Sequence, residues 1–150
     1  MSVIKKLKYD DGIKEVCAEG AVCPPENALE ATITAYRWVK KPISSECFSP
    51  QAKRNPVRLH NEGDLTKRCS CWALSLYNSL EGCINAMQKL ESSFPRARKI
   101  FGGWVAEGAL GPNNGVCTPP QASGHFDLHE YESSDDLEVL FSVCSSIPEA

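Results

Sequence analysis

The chain has 150 residues, of which 42% are hydrophobic and 23% are charged, and its formal net charge is −3. A chain disordered throughout would have fewer apolar residues and a larger net charge, so that class is excluded and we expect one globular domain over residues 1–150. Because no apolar run has the length of a signal peptide or a transmembrane helix, we expect a soluble cytoplasmic protein without membrane association.

The N-terminal part predicts a β-hairpin followed by a strand. Residues 3–9 and 13–17 flank Asp10-Asp11-Gly12, and Asp-Gly is typical of tight hairpin turns. Residues 31–39 are rich in β-branched and aromatic side chains, which favours a strand. Period-two alternation places Arg37 on one face with apolar residues, namely Ile33, Ala35 and Val39.

The middle of the chain predicts an irregular stretch, a second strand and the clearest helix. Residues 40–70 contain three prolines and seven basic residues against three acidic ones, and a short helix could lie inside this stretch. Residues 71–77 alternate between large and small side chains, which predicts a strand with Ser75 on its small face. Apolar residues at helical spacing predict an amphipathic helix over about residues 79–91, with Asn78 as its N-cap.

The C-terminal part predicts more strands around one long loop. Residues 98–107 favour a strand, in which the pair Gly102-Gly103 suggests a bulge or a close backbone approach. Residues 108–124 read as a loop, residues 125–132 alternate like a strand, and residues 135–144 fit a helix or, preferably, a strand. We therefore predict an α+β fold: a mainly antiparallel, possibly split sheet packed on one helix, with long irregular loops.

The cysteines indicate neither a disulfide framework nor a metal site. There are eight, a fraction below that of disulfide scaffolds, and without an export signal reduced thiols are the expectation. The spacings Cys17-x5-Cys23 and Cys69-x-Cys71 differ from the C-x2–4-C of structural zinc sites. By local charge, Cys69 or Cys71 beside Arg68 is the most plausible reactive thiol, but a buried or merely tolerated cysteine is the simpler interpretation.

The histidines add no metal site. His125 and His129 would stand roughly 13 Å apart on a strand that rises about 3.3 Å per residue, so they could share an ion only on a helix. We therefore expect no metal cofactor.

Charge is divided unevenly along the chain. Residues 1–99 hold sixteen basic and eleven acidic side chains, a net +5, whereas residues 100–150 hold eight acids and no lysine or arginine, a net −8. The two parts could lie side by side and complement each other, or the acidic third could form a face for a basic protein partner. The first functional hypothesis is accordingly a protein-binding module, such as an adaptor or inhibitor. A pI near 5.6 makes nucleic acid an unlikely partner.

The alternative hypothesis rests on residues that occur in order on three predicted strands. Arg37 lies among apolar neighbours, Ser75 precedes the helix directly, and Glu130-Tyr131-Glu132 ends the strand that follows the long loop. In that order they resemble the arginine–serine–glutamate form of the ADP-ribosyltransferase-like fold.

The resemblance implies an enzyme that uses NAD. It implies that Arg37 holds a phosphate of the dinucleotide and that the strand carrying Ser75 supports the nicotinamide site. It assigns Glu132, the last residue of the Glu-x-Glu pair with Glu130, to a ribose hydroxyl and to assisting transfer. The motif is incomplete, because the Ser-Thr-Ser of that family is here Leu74-Ser75-Leu76. The sequence leaves the enzyme and the binding module as open alternatives, and the oligomeric state unknown.

Overall fold

A computed structural model describes residues 5–150, which form seven α-helices, six β-strands and a 3-10 turn at Ser45–Phe48. The helices are α1 (Asp10–Ala18), α2 (Gln51–Arg54), α3 (Pro56–Asn61), α4 (Leu65–Cys71), α5 (Leu80–Ser93), α6 (Ala97–Phe101) and α7 (Leu137–Leu140). The strands are β1 (Ile33–Val39), β2 (Leu74–Tyr77), β3 (Trp104–Leu110), β4 (Gly115–Cys117), β5 (His125–Glu130) and β6 (Phe141–Ser146).

The strands form a single antiparallel sheet in the order β4-β5-β2-β1-β3-β6, which confirms the predicted α+β class. Strands β1 and β3 are in register along the whole of β1, from Ile33 opposite Leu110 to Val39 opposite Trp104. In contrast, β1 and β2 are in register at one pair only, Tyr36 opposite Tyr77. Pairing is therefore least extensive at the centre of the sheet, between β2 and β1.

Both faces of the sheet are covered. One face carries the main apolar core, which includes Leu74 and Phe126 and is covered by Phe48 and Leu137. The other face packs against α5 through Met87 and Cys83. Helix α5 confirms the predicted amphipathic helix, although its N-cap is Ser79 rather than Asn78, because the Ser79 hydroxyl accepts the hydrogen bond from the Gly82 amide.

The predicted N-terminal hairpin is wrong. Residues 3 and 4 of its first arm lie outside the described residues, and the second arm is part of α1. Two acids in the first turn suit the positive end of the helix dipole. Ile13 and Val16 are buried in a small core with Cys23 and Cys69, so tertiary packing outweighs the Asp-Gly turn signal.

The irregular stretch of residues 40–70 contains three short helices. Asn55 caps α3, where Pro56 occupies the first helical position, and the Asp64 carboxylate caps α4 by accepting from two backbone amides. Helix α4 continues to Cys71, so the second strand begins at Leu74 rather than at residue 71.

Two further differences from the predicted elements occur near the C-terminus. Residues 97–101 are helical, so β3 begins only at Trp104, and the expected loop of residues 108–124 contains the end of β3 and all of β4. Residues 137–146 combine both patterns, a short helix followed directly by β6. No helix among residues 5–150 has the length and apolar character needed to cross a membrane.

Candidate functional site

A polar cavity opens where β1 and β2 separate. It has a volume of about 430 Å³, within the roughly 300–1,000 Å³ of small-molecule sites. Strands β1, β2 and β5 form one side, helices α2 to α4 form the opposite side, and Leu90 and Phe101 close one end. The single residue pair between β1 and β2 is what leaves room for this cavity.

Arg37 is a buried cation without an acidic partner in this cavity. Its Nε donates to the Cys47 carbonyl and its Nη1 donates to the Ser75 carbonyl, each at 2.7 Å. Only 6% of the residue is exposed, and no carboxylate of residues 5–150 pairs with it. Burial, together with the charge of Arg54, lowers the pKa of Arg37 to about 10, so it stays protonated at neutral pH. The two carbonyls accept hydrogen bonds from the guanidinium but carry no net negative charge, which an anionic ligand would supply.

Three further basic side chains line the opposite side of the cavity. They come from the three short helices that follow β1: Arg54 from α2, Arg58 from α3 and Lys67 from α4. Glu62 is the acid among the lining residues on that side. The cavity thus presents four cations between the sheet and the short helices, an arrangement that favours phosphate groups.

A hydrogen-bonded polar cluster occupies the strand side of the cavity. Ser75 lies opposite Asp127 in the pairing of β2 with β5, and His125 lies two residues before Asp127 on the same face. The Ser75 hydroxyl and His125 Nε2 share a hydrogen bond of 2.6 Å, and the Ser70 hydroxyl donates to Asp127 Oδ2 at 2.7 Å. Burial raises the pKa of Asp127, and the Ser70 hydrogen bond acts in the opposite direction.

This cluster differs from the triad of serine hydrolases. Asp127 Oδ1 lies 3.7 Å from Nε2 of His125, the same nitrogen that contacts Ser75. A triad needs the carboxylate on Nδ1, where it fixes the tautomer that accepts the serine proton. The geometry therefore favours a carboxylate and a hydroxyl that contact a ligand over an activated serine nucleophile.

Aromatic side chains border the same space. The rings of Trp38 and Phe101 both line the cavity and lie 5.9 Å apart, and the Trp38 indole N–H donates to the Cys83 carbonyl at 2.8 Å. A fixed indole beside a cationic surface suits a ligand that combines a flat ring with phosphate.

The structure brings two of the four candidate site residues together. Arg37 and Ser75 line the same cavity and are joined by the hydrogen bond from the Arg37 guanidinium to the Ser75 carbonyl. Glu130 lines a second, smaller cavity, and Glu132 is exposed and pairs with Lys6 at 3.3 Å. The carboxylate beside Arg37 and Ser75 is Asp127, which no motif in the sequence indicated.

In comparisons with known proteins, no family model, curated protein or solved structure matches this chain. The site must therefore be interpreted from its own geometry.

The second cavity is acidic and has a volume of about 190 Å³. Four carboxylates line it: Glu46, Glu130, Asp136 and Glu138. Glu130 is almost wholly buried; its Oε2 lies 3.5 Å from Lys8 Nζ, whereas its Oε1 has no hydrogen-bond partner. Burial is the main cause that raises the pKa of Glu130.

The acidic C-terminal third also pairs with bases elsewhere in the chain. Besides the pairs from Glu130 to Lys8 and from Glu132 to Lys6, Glu149 lies 3.8 Å from Arg98. Part of the negative charge of residues 100–150 is therefore neutralised within the fold by basic residues from the first part of the chain.

The expectation of reduced thiols is wrong for two of the eight cysteines, because Cys23 and Cys69 form a disulfide across 46 residues of sequence. The two cysteines come together because Cys23 follows α1, and α1 packs against α4, which carries Cys69. The other six thiols are free.

The free thiols should differ strongly in reactivity. Burial raises the pKa of Cys83 to about 12 and that of Cys117 to about 11, so at pH 8 both remain neutral thiols, which are poor nucleophiles. We expect iodoacetamide to modify the exposed Cys17 and Cys144 in the folded protein and to reach Cys83 and Cys117 only after unfolding. Peptide mass spectrometry of native and urea-treated samples measures this; fast modification of Cys83 in the native sample would contradict it.

Proposed function

We propose that the protein binds NAD in the cavity between β1 and β2 and cleaves it as an ADP-ribosyltransferase-like enzyme. The observation that carries the proposal is the buried Arg37, which has no acidic partner among the described residues and faces a cavity with three more cations. This surface complements a dinucleotide pyrophosphate, whose two negative charges would satisfy the guanidinium. The sequence resemblance assigns Arg37 the same role.

Asp127 is the best candidate for the carboxylate that acts on the ribose. It lies directly opposite Ser75 on the neighbouring strand, and Ser70 holds one of its oxygens. His125-Phe126-Asp127 would then take the place that the resemblance gives to Glu130-Tyr131-Glu132, five residues earlier in the chain. Ser75 and His125, joined by their own hydrogen bond, would border the nicotinamide ribose.

The reaction breaks the bond between C1′ of the nicotinamide ribose and the ring nitrogen. Nicotinamide leaves with the bonding electron pair as a neutral molecule, and positive charge develops on C1′ and the ring oxygen. A fixed carboxylate at this position stabilises that charge in the transition state. Water or an acceptor nucleophile then bonds to C1′ and releases one proton, so that water gives ADP-ribose and an acceptor gives its ADP-ribosyl derivative.

Arg58→Gln should weaken NAD binding about tenfold, because loss of one charge-assisted hydrogen bond costs about 1.5 kcal/mol. Lys53→Gln is the matched control, since Lys53 is exposed, lies in the adjacent α2 and does not line the cavity. Calorimetric titration with NAD measures the affinity, and amide NMR shifts locate the site.

The proposal fails if millimolar NAD shifts no amide near Arg37 and Ser75 while the spectrum shows an intact sheet. Equal losses of affinity in Arg58→Gln and Lys53→Gln would mean that only net charge matters, which would also contradict a built phosphate site.

A second candidate function rests on the acidic cavity. We propose that Glu130, Asp136 and Glu138 receive a basic side chain of a protein partner, as expected for the binding module. The supporting observation is the buried Glu130 Oε1, which has no hydrogen-bond partner and borders a cavity lined by three further carboxylates. A guanidinium or ammonium group entering this cavity would supply the absent donor.

Binding of an arginine-containing peptide should weaken at least fivefold in Asp136→Asn/Glu138→Gln and should also weaken as salt rises. Asp135→Asn is the matched control, because this neighbouring acid is exposed but does not line the cavity. Fluorescence anisotropy of a labelled peptide measures the affinity. A peptide affinity that changes neither with salt nor in the double variant would contradict this function.

A further inference from the structure

A buried cluster of two sulfurs and one imidazole lies under α1, outside both cavities. It consists of Cys23, Cys69 on α4 and His129 on β5. The sulfur and imidazole nitrogen atoms of these three residues all lie within 4.8 Å of one another, and each of the three residues is buried. Sequence spacing did not reveal the cluster, because its members come from three separate parts of the fold.

The disulfide accounts for the burial of the two cysteines but not for the burial of His129. The residue is 1% exposed, its Nδ1 has no hydrogen-bond partner, and the contact of its Nε2 is the Cys69 sulfur at 3.9 Å. A buried polar ring with so few polar contacts is unfavourable. The Nε2 atom faces the disulfide, so a ligand on this nitrogen would lie between the imidazole and the two sulfurs, and Nδ1 would then carry the ring proton.

We propose that Cys23, Cys69 and His129 form a zinc site that the disulfide closes and that reduction opens. Two thiolates and one imidazole are donors that zinc prefers, at about 2.3 Å for sulfur and about 2.0 Å for nitrogen. A tetrahedral ion would hold a sulfur and a nitrogen about 3.6 Å apart, close to the 3.9 Å between Cys69 and His129. A water molecule would complete the four positions.

The exchange between the two forms balances with one external reductant. A dithiol supplies two electrons and two protons, becomes a disulfide itself, and converts the Cys23–Cys69 bond into two thiols. Zinc then displaces both thiol protons and binds the two sulfurs and His129 Nε2. Metal and disulfide therefore exclude each other at this site.

The experiment compares zinc content with redox state in untagged full-length protein. Reduced protein incubated with zinc chloride and desalted should retain about one zinc ion per chain by mass spectrometry, and oxidised protein should retain almost none. Cobalt in place of zinc should give a thiolate charge-transfer band and the visible bands of tetrahedral cobalt. Absence of stoichiometric metal from the reduced protein would overturn the proposal.

Substitutions assign the ligands. Loss of an outer-shell partner alone costs roughly 10- to 100-fold in metal affinity, so loss of a ligand should cost about 100-fold or more. We expect this loss in Cys23→Ser, Cys69→Ser and His129→Gln, but not in Cys71→Ser, the matched thiol two residues from Cys69. Retention of tight zinc binding by Cys69→Ser would overturn the site. If a substituted chain fails to fold, alkylation of the reduced natural chain replaces it: zinc must protect Cys23 and Cys69 and leave Cys144 reactive, and equal protection of all thiols contradicts the site.

Discussion

Asp127→Asn should lower the rate of nicotinamide release from NAD about 100-fold or more, the size of effect seen when one electrostatic stabiliser of a transition state is removed. Asparagine has nearly the same shape, and its amide oxygen can still accept the hydrogen bond from Ser70. It lacks the negative charge that opposes the positive charge developing on the ribose. The dissociation constant of NAD should therefore change by less than about threefold, because that charge acts mainly in the transition state.

Liquid chromatography of nicotinamide measures the rate, and calorimetry measures NAD binding separately. Glu26→Gln, a charge removal at an exposed position outside both cavities, serves as the control. Glu132→Gln tests the alternative assignment made from the sequence resemblance. A rate that falls in Glu132→Gln and persists in Asp127→Asn would transfer the carboxylate role to Glu132 and contradict our assignment.

Hydrophobic periodicity predicted the elements that carry much of the fold. Strand β1, strand β5 and helix α5 each have one regular apolar face, and each occurs where that pattern indicated. The same periodicity placed the starts of β2 and β3 too early in the chain. The residues predicted to begin these two strands lie in helices instead: Cys71 ends α4, and residues 98–101 form most of α6, whose Ala97 and Phe101 belong to the core around α5.

The candidate site could be predicted only in part. Arg37 stood out because a charged residue shared a face with three apolar ones, and it is indeed buried. The role of Asp127 depends on β2 pairing with β5 so that Ser75 lies opposite it, and no local pattern encodes that register. Period-two alternation places His125 and Asp127 on one face of β5, but it does not indicate which strand lies beside them.

The sequence indicated the excess of basic residues that line the cavity, but not the structure that brings them together. The excess of cations in residues 40–70 is clear from the sequence, whereas the short helices that direct Arg54, Arg58 and Lys67 into one cavity depend on caps at Asn55 and Asp64. The cluster of Cys23, Cys69 and His129 was equally hidden, because its members are separated by 46 and 60 residues.

Gly102→Ala should destabilise the protein by about 3 kcal/mol or more, combining a strained backbone with an overlap inside a packed region. Gly102 ends α6 with a φ of 108° and a ψ of 148°, a conformation that is essentially restricted to glycine. A Cβ atom there would also overlap the backbone carbonyl of Val39, the last residue of β1. Backbone atoms cannot turn aside as a flexible side chain can, so α6 or the end of β1 must move.

Urea denaturation followed by circular dichroism measures the loss, and Gly63→Ala is the matched control. Nothing lies within 4 Å of the position that a Cβ atom would take at Gly63, so its effect should stay within about 0.5 kcal/mol. Because Phe101 lines the cavity and Arg37 precedes Val39 by two residues, Gly102→Ala should also weaken NAD binding in the fraction that remains folded. Equal stabilities of the two variants would show that the contact between Gly102 and β1 is not made, and with it that this end of the cavity is not closed as described.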